Sequence, residues 1–455
     1  MRVLVANRGE IAVRIVRACR DLGMVPLVAC SDADRESLAV ALSDGSFCIG
    51  AGPAAQSYLD VPAVLTAAQA LTADAIHPGY GFLAESADFA RACVDAGYRF
   101  VGPSAESIAL MGDKVSARRR AESLGVPVVP GQLLPDDTMA AERLVRAMGA
   151  TVMVKAAAGG GGRGMRLVDP SCDAAGAIDL ARAEAATAFG DGTLYAERLV
   201  AQGRHVEIQV FGLGGGQAVA LGERDCSVQR RHQKLVEESP SGVLGDAERA
   251  AMADAAVRLA AGVDYVGAGT VEFLWDLDAG EFYFLEMNTR LQVEHGVTEL
   301  RTGTDLVGQQ LRMAATGRCE YAVGAALAAR GHVLECRVLA EDTTRGFLPV
   351  PGVVTAFRPP AGAGVRVDSH LRPGAEIPPF YDSMIAKVLC DAPTREHAIA
   401  RMQRALREFH VAGVPTNINA LLWILDHPDF TADRHTTAWF DDQFRGAPTS
   451  EGIAS

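Results

Sequence analysis

The sequence predicts a multidomain α/β protein that passes into α+β in its carboxy-terminal half, and three observations predict it. Strand and helix patterns alternate from the first residues, proline and glycine clusters interrupt the chain at two places, and 455 residues suit two to four domains. An apolar content of 49% with 22% charged residues is that of an ordinary soluble globular protein. In order, the spacing predicts a strand over 3–6, a helix over 11–22 and a strand over 25–30, a βαβ opening. The first turn is Asn7-Arg8-Gly9-Glu10 and carries no GxGxxG, so a Rossmann-like sheet is expected without NAD. Gly102-Pro103 breaks the pattern, 104–124 reads as a helical stretch, and Pro127, Pro130, Gly131 and Pro135 mark a second boundary. A smaller unit follows, with a strand over 151–154 ending at Lys155, the glycine run 159–162 and an alanine-rich helix near 179–188. Beyond Gly203 come a strand over 205–211, a helix over 246–261 with Asp246 as N-cap, strands over 271–277 and 281–287, a strand over 333–339 and a helix over 395–409. The expected units are 1–112, a helical linker 113–127, a small domain 128–200 and a larger region 201–455.

A formal net charge of -13 argues against broad nucleic-acid or anionic-membrane binding, since phosphate contacts need a basic face. No apolar run approaches the roughly 18 residues of a membrane span, and the start MRVLVANRGE is too short and too charged for a signal peptide. Nine scattered cysteines without a CxxC pair fit a reducing compartment, and the chain reads as cytoplasmic.

Cation usage is the sharpest compositional signal: four lysines against 39 arginines. A compact ammonium fits between phosphate oxygens where a planar guanidinium does not, so Lys114, Lys155 and Lys234 point to anion chemistry. Lys387 reads as a structural ion pair. The glycine run lacks the Gly-Lys-Ser/Thr ending of a P-loop; with Lys155 before it, it suggests a lid over a polyphosphate, although linkers share its composition. In 286–294 every second residue is polar, so an extended chain would put Glu286, Asn288, Arg290, Gln292 and Glu294 on one face. Glu272 stands in an apolar run, where an unpaired carboxylate is costly. A metal ion shared by Glu272, Glu286 and Asn288 removes that cost, and such hard oxygen ligands suit Mg²⁺.

The stretches ANRGEIAVRIVRAC, HPGYGFLAE, LMGDKVSA, GGGGRGMR, RHVEIQVFG, ERDCSVQRRHQK, EFYFLEMNTRLQVEH, ECRVLAED and PPFYDSMIAK together resemble biotin carboxylase, an ATP-grasp enzyme, over nearly the whole chain. The resemblance implies an ATP-grasp fold: a pre-ATP-grasp domain, a small mobile lid and a larger catalytic domain, with ATP between the last two. It implies that Lys114, Lys155 and His232 contact ATP phosphates, with lid contacts from Gly161, Gly162 and Met165. Glu197 and Val200 match the adenine hinge, and His205 and Gln229 the ribose contacts. Glu272, Glu286 and Asn288 match ligands of two Mg²⁺ ions, with Mn²⁺ able to substitute. Lys234, Arg290, Gln292, Val293 and Glu294 match the bicarbonate pocket, Glu294 being the general base. Tyr80 and Arg337 match positions facing biotin, Arg337 stabilising its enolate.

The implied function is ATP- and bicarbonate-dependent carboxylation of biotin through carboxyphosphate, as the first half-reaction of an acyl-CoA carboxylase. None of the four lysines follows a methionine, so the biotin is expected on a separate carrier protein or on a carrier domain of another subunit. Carboxyltransferase subunits and a homodimer are further expected partners, with no nucleic acid and no membrane. Rival readings are another ATP-grasp ligase that couples an acyl phosphate to an amine, and a non-catalytic nucleotide-binding subunit. Two departures from the family pattern concern motion: Ala158 in place of a first glycine, and Gly296 in place of proline, expected to loosen the loop beside the base.

Overall fold

The computed structural model describes residues 1–149, 151–156, 165–169, 173–324 and 329–444. The chain opens with a parallel sheet of β1 (Arg2–Val5), β2 (Val25–Cys30), β3 (Gly45–Cys48), β4 (Ala75–His77) and β5 (Arg99–Phe100), in the order β3-β2-β1-β4-β5. Strand order reverses at β1 and β4, and a crevice opens beyond the carboxyl ends of strands at such a switch point. The segment Asn7 to Glu10 leaves β1 there and Pro78 to Tyr80 leaves β4; Asn7 Nδ2 ties them by donating to the carbonyls of Pro78 and Tyr80, each at 2.7 Å. The helix Gly9–Asp21 buries Ile11, Ile15, Val16 and Cys19, an apolar stripe at helical spacing.

A four-stranded antiparallel sheet follows, built from β6 (Gly131–Leu133), β7 (Val152–Ala156), β8 (Met165–Val168) and β9 (Leu194–Arg198) in the order β6-β9-β7-β8. Its core of Val145, Val152, Val154, Ile178 and Leu194 joins the strands to the helices Thr138–Ala147 and Ala174–Phe189.

The largest sheet contains β10 (Gly203–Gly214), β11 (Gln217–Arg230), β12 (Gln233–Ser239), β13 (Val266–Asp276), β14 (Glu281–Asn288) and β15 (His332–Leu339). Its order is β14-β13-β10-β11-β12-β15, continued by the strands Met384–Ala392 and Val365–Ser369, all antiparallel. The helix Asp246–Gly262 packs Met252, Ala256 and Leu259 against Val206, Ile208 and Val271. On the other wing, the helix Arg395–Glu408 packs Ile399, Met402 and Leu406 against Val388 and Cys390.

Two local expectations are corrected. Gly245, with an extended backbone at φ -80° and ψ 176°, is the N-cap of the helix Asp246–Gly262, and Asp246 is its first helical residue. The ribbon 286–294 is extended only as far as Asn288, where β14 ends. Leu291 is fully buried and turns into the core shared with the helix Gly9–Asp21, so the chain leaves the sheet and Glu294 stands at the start of the helix His295–Thr302. Among the described residues no helix is long and apolar enough to cross a membrane.

Candidate active site

A single cleft of about 1440 Å³ is lined by residues from the parallel sheet, the small sheet and the large sheet. It receives Lys114, Lys155, Glu197, Val200, His205, Gln229, His232 and Lys234, together with Tyr80, Glu272, Glu286 and Asn288. Arg290, Gln292, Val293, Glu294 and Arg337 complete it. Gly161, Gly162 and Ala158 lie outside the described residues, as does the side chain of Met165, whose backbone opens β8 opposite Lys155.

Lys114 is the first residue of the helix Lys114–Ser123, whose N-cap Asp113 accepts from the Ser116 N–H at 2.8 Å. Its ammonium is half exposed and 3.5 Å from Glu286 Oε2. Lys155, on β7, is bonded to Glu197 of the adjacent β9, and Arg118 also donates to Glu197, at 3.2 Å. His232 sits at the tip of the two-residue turn between β11 and β12, where Arg231 and His232 both have positive φ (47° and 66°). This is the twist that a two-residue hairpin demands, usually met by Asn-Gly, so side chains at the cleft are held there against backbone preference.

Lys234, the second residue of β12, is the centre of an anionic ring. Its Nζ donates to Glu207 Oε2 at 2.6 Å, Glu272 Oε1 at 3.0 Å and Glu294 Oε1 at 2.6 Å. The other oxygen of Glu294 accepts from Arg337 at 3.0 Å, and Arg337 also donates to Glu237 at 2.6 Å. Burial pushes the Glu294 carboxyl up, but Lys234, Arg337 and Arg224 outweigh it and hold the group well below the usual carboxylate range. Glu272 is held low in the same way, against burial, by Lys234 and His205. His205 bonds Gln229 at 2.8 Å through Nδ1 and brings Nε2 to 3.0 Å from Glu272; that carboxylate outweighs burial and raises the imidazole above its ordinary value.

Glu272 and Glu286 are register partners across β13 and β14, and Asn288 Nδ2 donates to Glu272 at 2.9 Å. These three groups offer oxygen donors side by side, a set that fits a hard divalent cation. Glu272 also accepts from Lys234 at 3.0 Å and from the Gln292 amide at 2.8 Å. Arg290, which also lines the cleft, donates to Glu85 at 3.0 Å and to Asn288 Oδ1 at 3.0 Å. Tyr80 donates to Glu10 at the switch point of the parallel sheet.

Sequence reasoning missed Arg224 and Glu207. Arg224 is fully buried and uses all five N–H groups: to Glu207 at 2.6 Å, Gln209 at 2.7 Å, Thr298 at 2.8 Å, Thr270 at 3.2 Å and Gln292 at 2.9 Å. Because it donates to Gln292 Oε1, the Gln292 amide must present N–H to the cleft, a polarity suited to an anion. A carboxylate between Val206 and Ile208 carried the same signal as Glu272. The expected loosening by Gly296 is also corrected: Gly296 is buried in the first turn of the helix His295–Thr302, where a Cβ would stand 2.7 Å from Leu389 Cδ2.

Three family models match in sequence: the biotin carboxylase N-terminal domain over residues 1–108, the carbamoyl-phosphate synthase L chain ATP binding domain over 113–320, and the biotin carboxylase C-terminal domain over 335–442. Biotin carboxylase 1 of Bacillus subtilis is 47% identical over 441 residues, 97% of this chain and 98% of that one. The biotin carboxylase of Pseudomonas aeruginosa is 49% identical over 418 residues, covering 91% and 92%. Among solved structures, a biotin carboxylase–β,γ-ATP complex from Campylobacter jejuni superimposes with a TM-score of 0.91 at 43% identity over 97% of this chain and 98% of that one. The biotin carboxylase domain dimer of Hydrogenobacter thermophilus 2-oxoglutarate carboxylase, with MgADP, ADP and bicarbonate, gives 0.90 at 42% identity and 97% coverage of both. With the ring of Lys234, Glu294 and Arg337 in one cleft with Lys114 and Lys155, and relatives matched from end to end, the chain belongs to the biotin carboxylase family of ATP-dependent ligases.

Proposed function

We propose that the cleft binds ATP and bicarbonate together and carboxylates biotin presented by a separate carrier protein, as the first half-reaction of an acyl-CoA carboxylase, with acetyl-CoA as the acyl substrate of the full enzyme. The observation that carries this reading is the Glu294 carboxylate held between Lys234 and Arg337, in one cavity with the lysines expected at phosphates. Lys114, Lys155 and His232 take the phosphates, Glu197 and Val200 the adenine, and His205 with Gln229 the ribose. Gly161, Gly162 and Met165 match the lid contacts of the family. Glu272, Glu286 and Asn288 would hold Mg²⁺ ions, two by family resemblance, or Mn²⁺ in their place; bound there, the metal supplies charge neutralisation to the transferring phosphoryl group.

Bicarbonate is a weak nucleophile until it loses its proton, and Glu294 accepts that proton. Lys234 and Arg337 both donate to Glu294 and, with Arg224, hold its carboxyl well below the usual carboxylate range against burial. An anion that shares those cations, with Arg290 and the Gln292 N–H, raises its basicity as the substrate binds. A bicarbonate oxygen attacks the γ-phosphorus, the bond to ADP breaks, and carboxyphosphate forms. Its C–O bond then breaks to CO₂ and phosphate; phosphate removes the ureido proton of biotin, Arg337 steadies the enolate oxygen, and the nitrogen captures CO₂. Tyr80 lines the biotin side. A homodimer is supported by the dimeric Hydrogenobacter relative, and carboxyltransferase subunits by the pathway logic of the half-reaction. A cytoplasmic setting is supported by the free thiols of the described cysteines.

ADP release tests the reading. It should require bicarbonate and rise when a biotinylated carrier is added; stimulation by amino acids in place of bicarbonate would favour an amine ligase, and ATP binding without turnover a regulatory subunit.

A further inference from the structure

We propose that Lys387 is a positioning residue for Glu294, acting through the backbone carbonyl of Val293. The inference rests on the reading of Glu294 as the base. Lys387 is fully buried on the strand Met384–Ala392, and its register partner on β15 is Arg337. Register partners project from the same face of a sheet, so the two cations lie side by side. Arg337 donates to the Glu294 carboxylate at 3.0 Å, and Lys387 Nζ donates to the carbonyl of Val293, one residue earlier. One cation grips the side chain of the base while its neighbour grips the backbone beneath it.

That grip matters because of where Glu294 sits. β14 ends at Asn288 and the helix His295–Thr302 begins after Glu294, so the peptide leading into the base lies outside both elements. Two anions also face the Lys387 ammonium: Glu10 Oε1 at 3.2 Å and Asp368 Oδ2 at 3.9 Å. Each has another partner. Asp368 accepts from Arg366 at 2.8 and 3.0 Å, and Glu10 accepts from the Tyr80 hydroxyl. A lysine, with three N–H groups on one compact centre, can face Val293 O, Glu10 and Asp368 together; the planar fork of arginine cannot reproduce that convergence in a closed site. This accounts for a lysine in a chain that otherwise uses arginine almost everywhere.

A buried charge that serves only its ion pairs can be exchanged, with its partner, for neutral groups at little cost. A buried donor that sets the place of a base cannot. The experiment therefore compares Lys387→Arg, which keeps the charge and moves the donor atoms, with the double variant Lys387→Met/Glu10→Gln, which removes both charges. Bicarbonate-dependent ADP release without biotin, KM for ATP and thermal midpoint are measured, with Glu294→Gln in parallel. The positioning role predicts kcat lower by about 10- to 100-fold in both variants, with KM for ATP within about threefold of the parent. Turnover near the parent's in either folded variant, beside an inactive Glu294→Gln, would overturn it; so would loss of fold in both, which assigns Lys387 to stability alone. Parental turnover in Glu294→Gln would instead refute the reading of Glu294 as the base, whatever the Lys387 variants do.

Discussion

Replacing Glu294 by glutamine tests the chemistry at its narrowest point. The two carboxylate oxygens are 2.6 Å from Lys234 Nζ and 3.0 Å from the Arg337 guanidinium, and both contacts are donated by cations. Glutamine keeps the shape, but its NH₂ must face one of those donors. One charge-assisted hydrogen bond is lost and the other keeps its cationic donor but gains a neutral acceptor, about 3–5 kcal/mol in stability for a buried ion pair that loses one charge, a loss that the thermal midpoint reads directly. The other effect is chemical, because an amide does not take the bicarbonate proton. Loss of a general base lowers turnover by about 10²- to 10⁴-fold, or roughly 3–5 kcal/mol in the barrier. Steady-state ADP release at saturating bicarbonate should show that drop, while fluorescent-nucleotide titration shows ATP affinity within about threefold, since the phosphate lysines are untouched. Turnover within about tenfold of the parent would refute the assignment of proton removal to Glu294.

Three further outcomes follow from the same geometry. Arg337→Met should cut carboxybiotin formation by about 10²- to 10³-fold, with biotin-independent ADP release reduced less. Equal losses in the two assays would contradict a role at the biotin enolate. Gly296→Ala should change stability by less than about 1 kcal/mol, because the helix gains roughly that much from alanine while the new Cβ meets only the Leu389 Cδ2 methyl at 2.7 Å, which can turn aside; calorimetry showing a loss of more than about 3 kcal/mol would contradict that balance. Burial holds His77 down to about 3 and His435 down to about 4, while in the unfolded chain both take up protons near 6.5. The unfolded state therefore binds more protons below about pH 6.5, and stability should decline from there as pH falls, by up to about 1.4 kcal/mol per pH unit for each ring. His205, raised by Glu272 against burial, contributes stability that is complete below that pH and is lost as pH rises through its folded value. Urea midpoints at pH 7, 6 and 5 decide this, a rise on acidification being the contrary result.

The amino-terminal βαβ unit was legible because its strand and helix periods are clean and β2 has the bounds that its apolar run indicates. Glu272 was legible because a carboxylate among Val271 and Phe273 needs a partner. Glu207 carries the same signal between Val206 and Ile208, but an alternating strand looks half-exposed; β10 is buried on both faces over most of its length, with Val206, Ile208 and Val210 under the helix Asp246–Gly262 and, on the other face, Glu207 and Gln209 on Arg224 and Phe211 in a second apolar core. Periodicity likewise extended the polar ribbon through Glu294, whereas Leu291 belongs to a core formed by residues far away in sequence. Asp246 failed as a cap because the glycine before it already takes the extended conformation. Arg224 could not be read at all: its five partners come from four separate segments, and only tertiary structure brings them together.

The most direct test of the central claim is to follow an oxygen atom. If bicarbonate and ATP meet in this cleft as described, the bicarbonate oxygen that attacks the γ-phosphorus stays with phosphorus when the C–O bond of carboxyphosphate breaks. Turnover with ¹⁸O-labelled bicarbonate should then yield inorganic phosphate carrying one labelled oxygen. Phosphate free of label, with ADP still released, would mean that water attacks instead and that Lys234, Arg290 and Glu294 do not hold a nucleophilic bicarbonate.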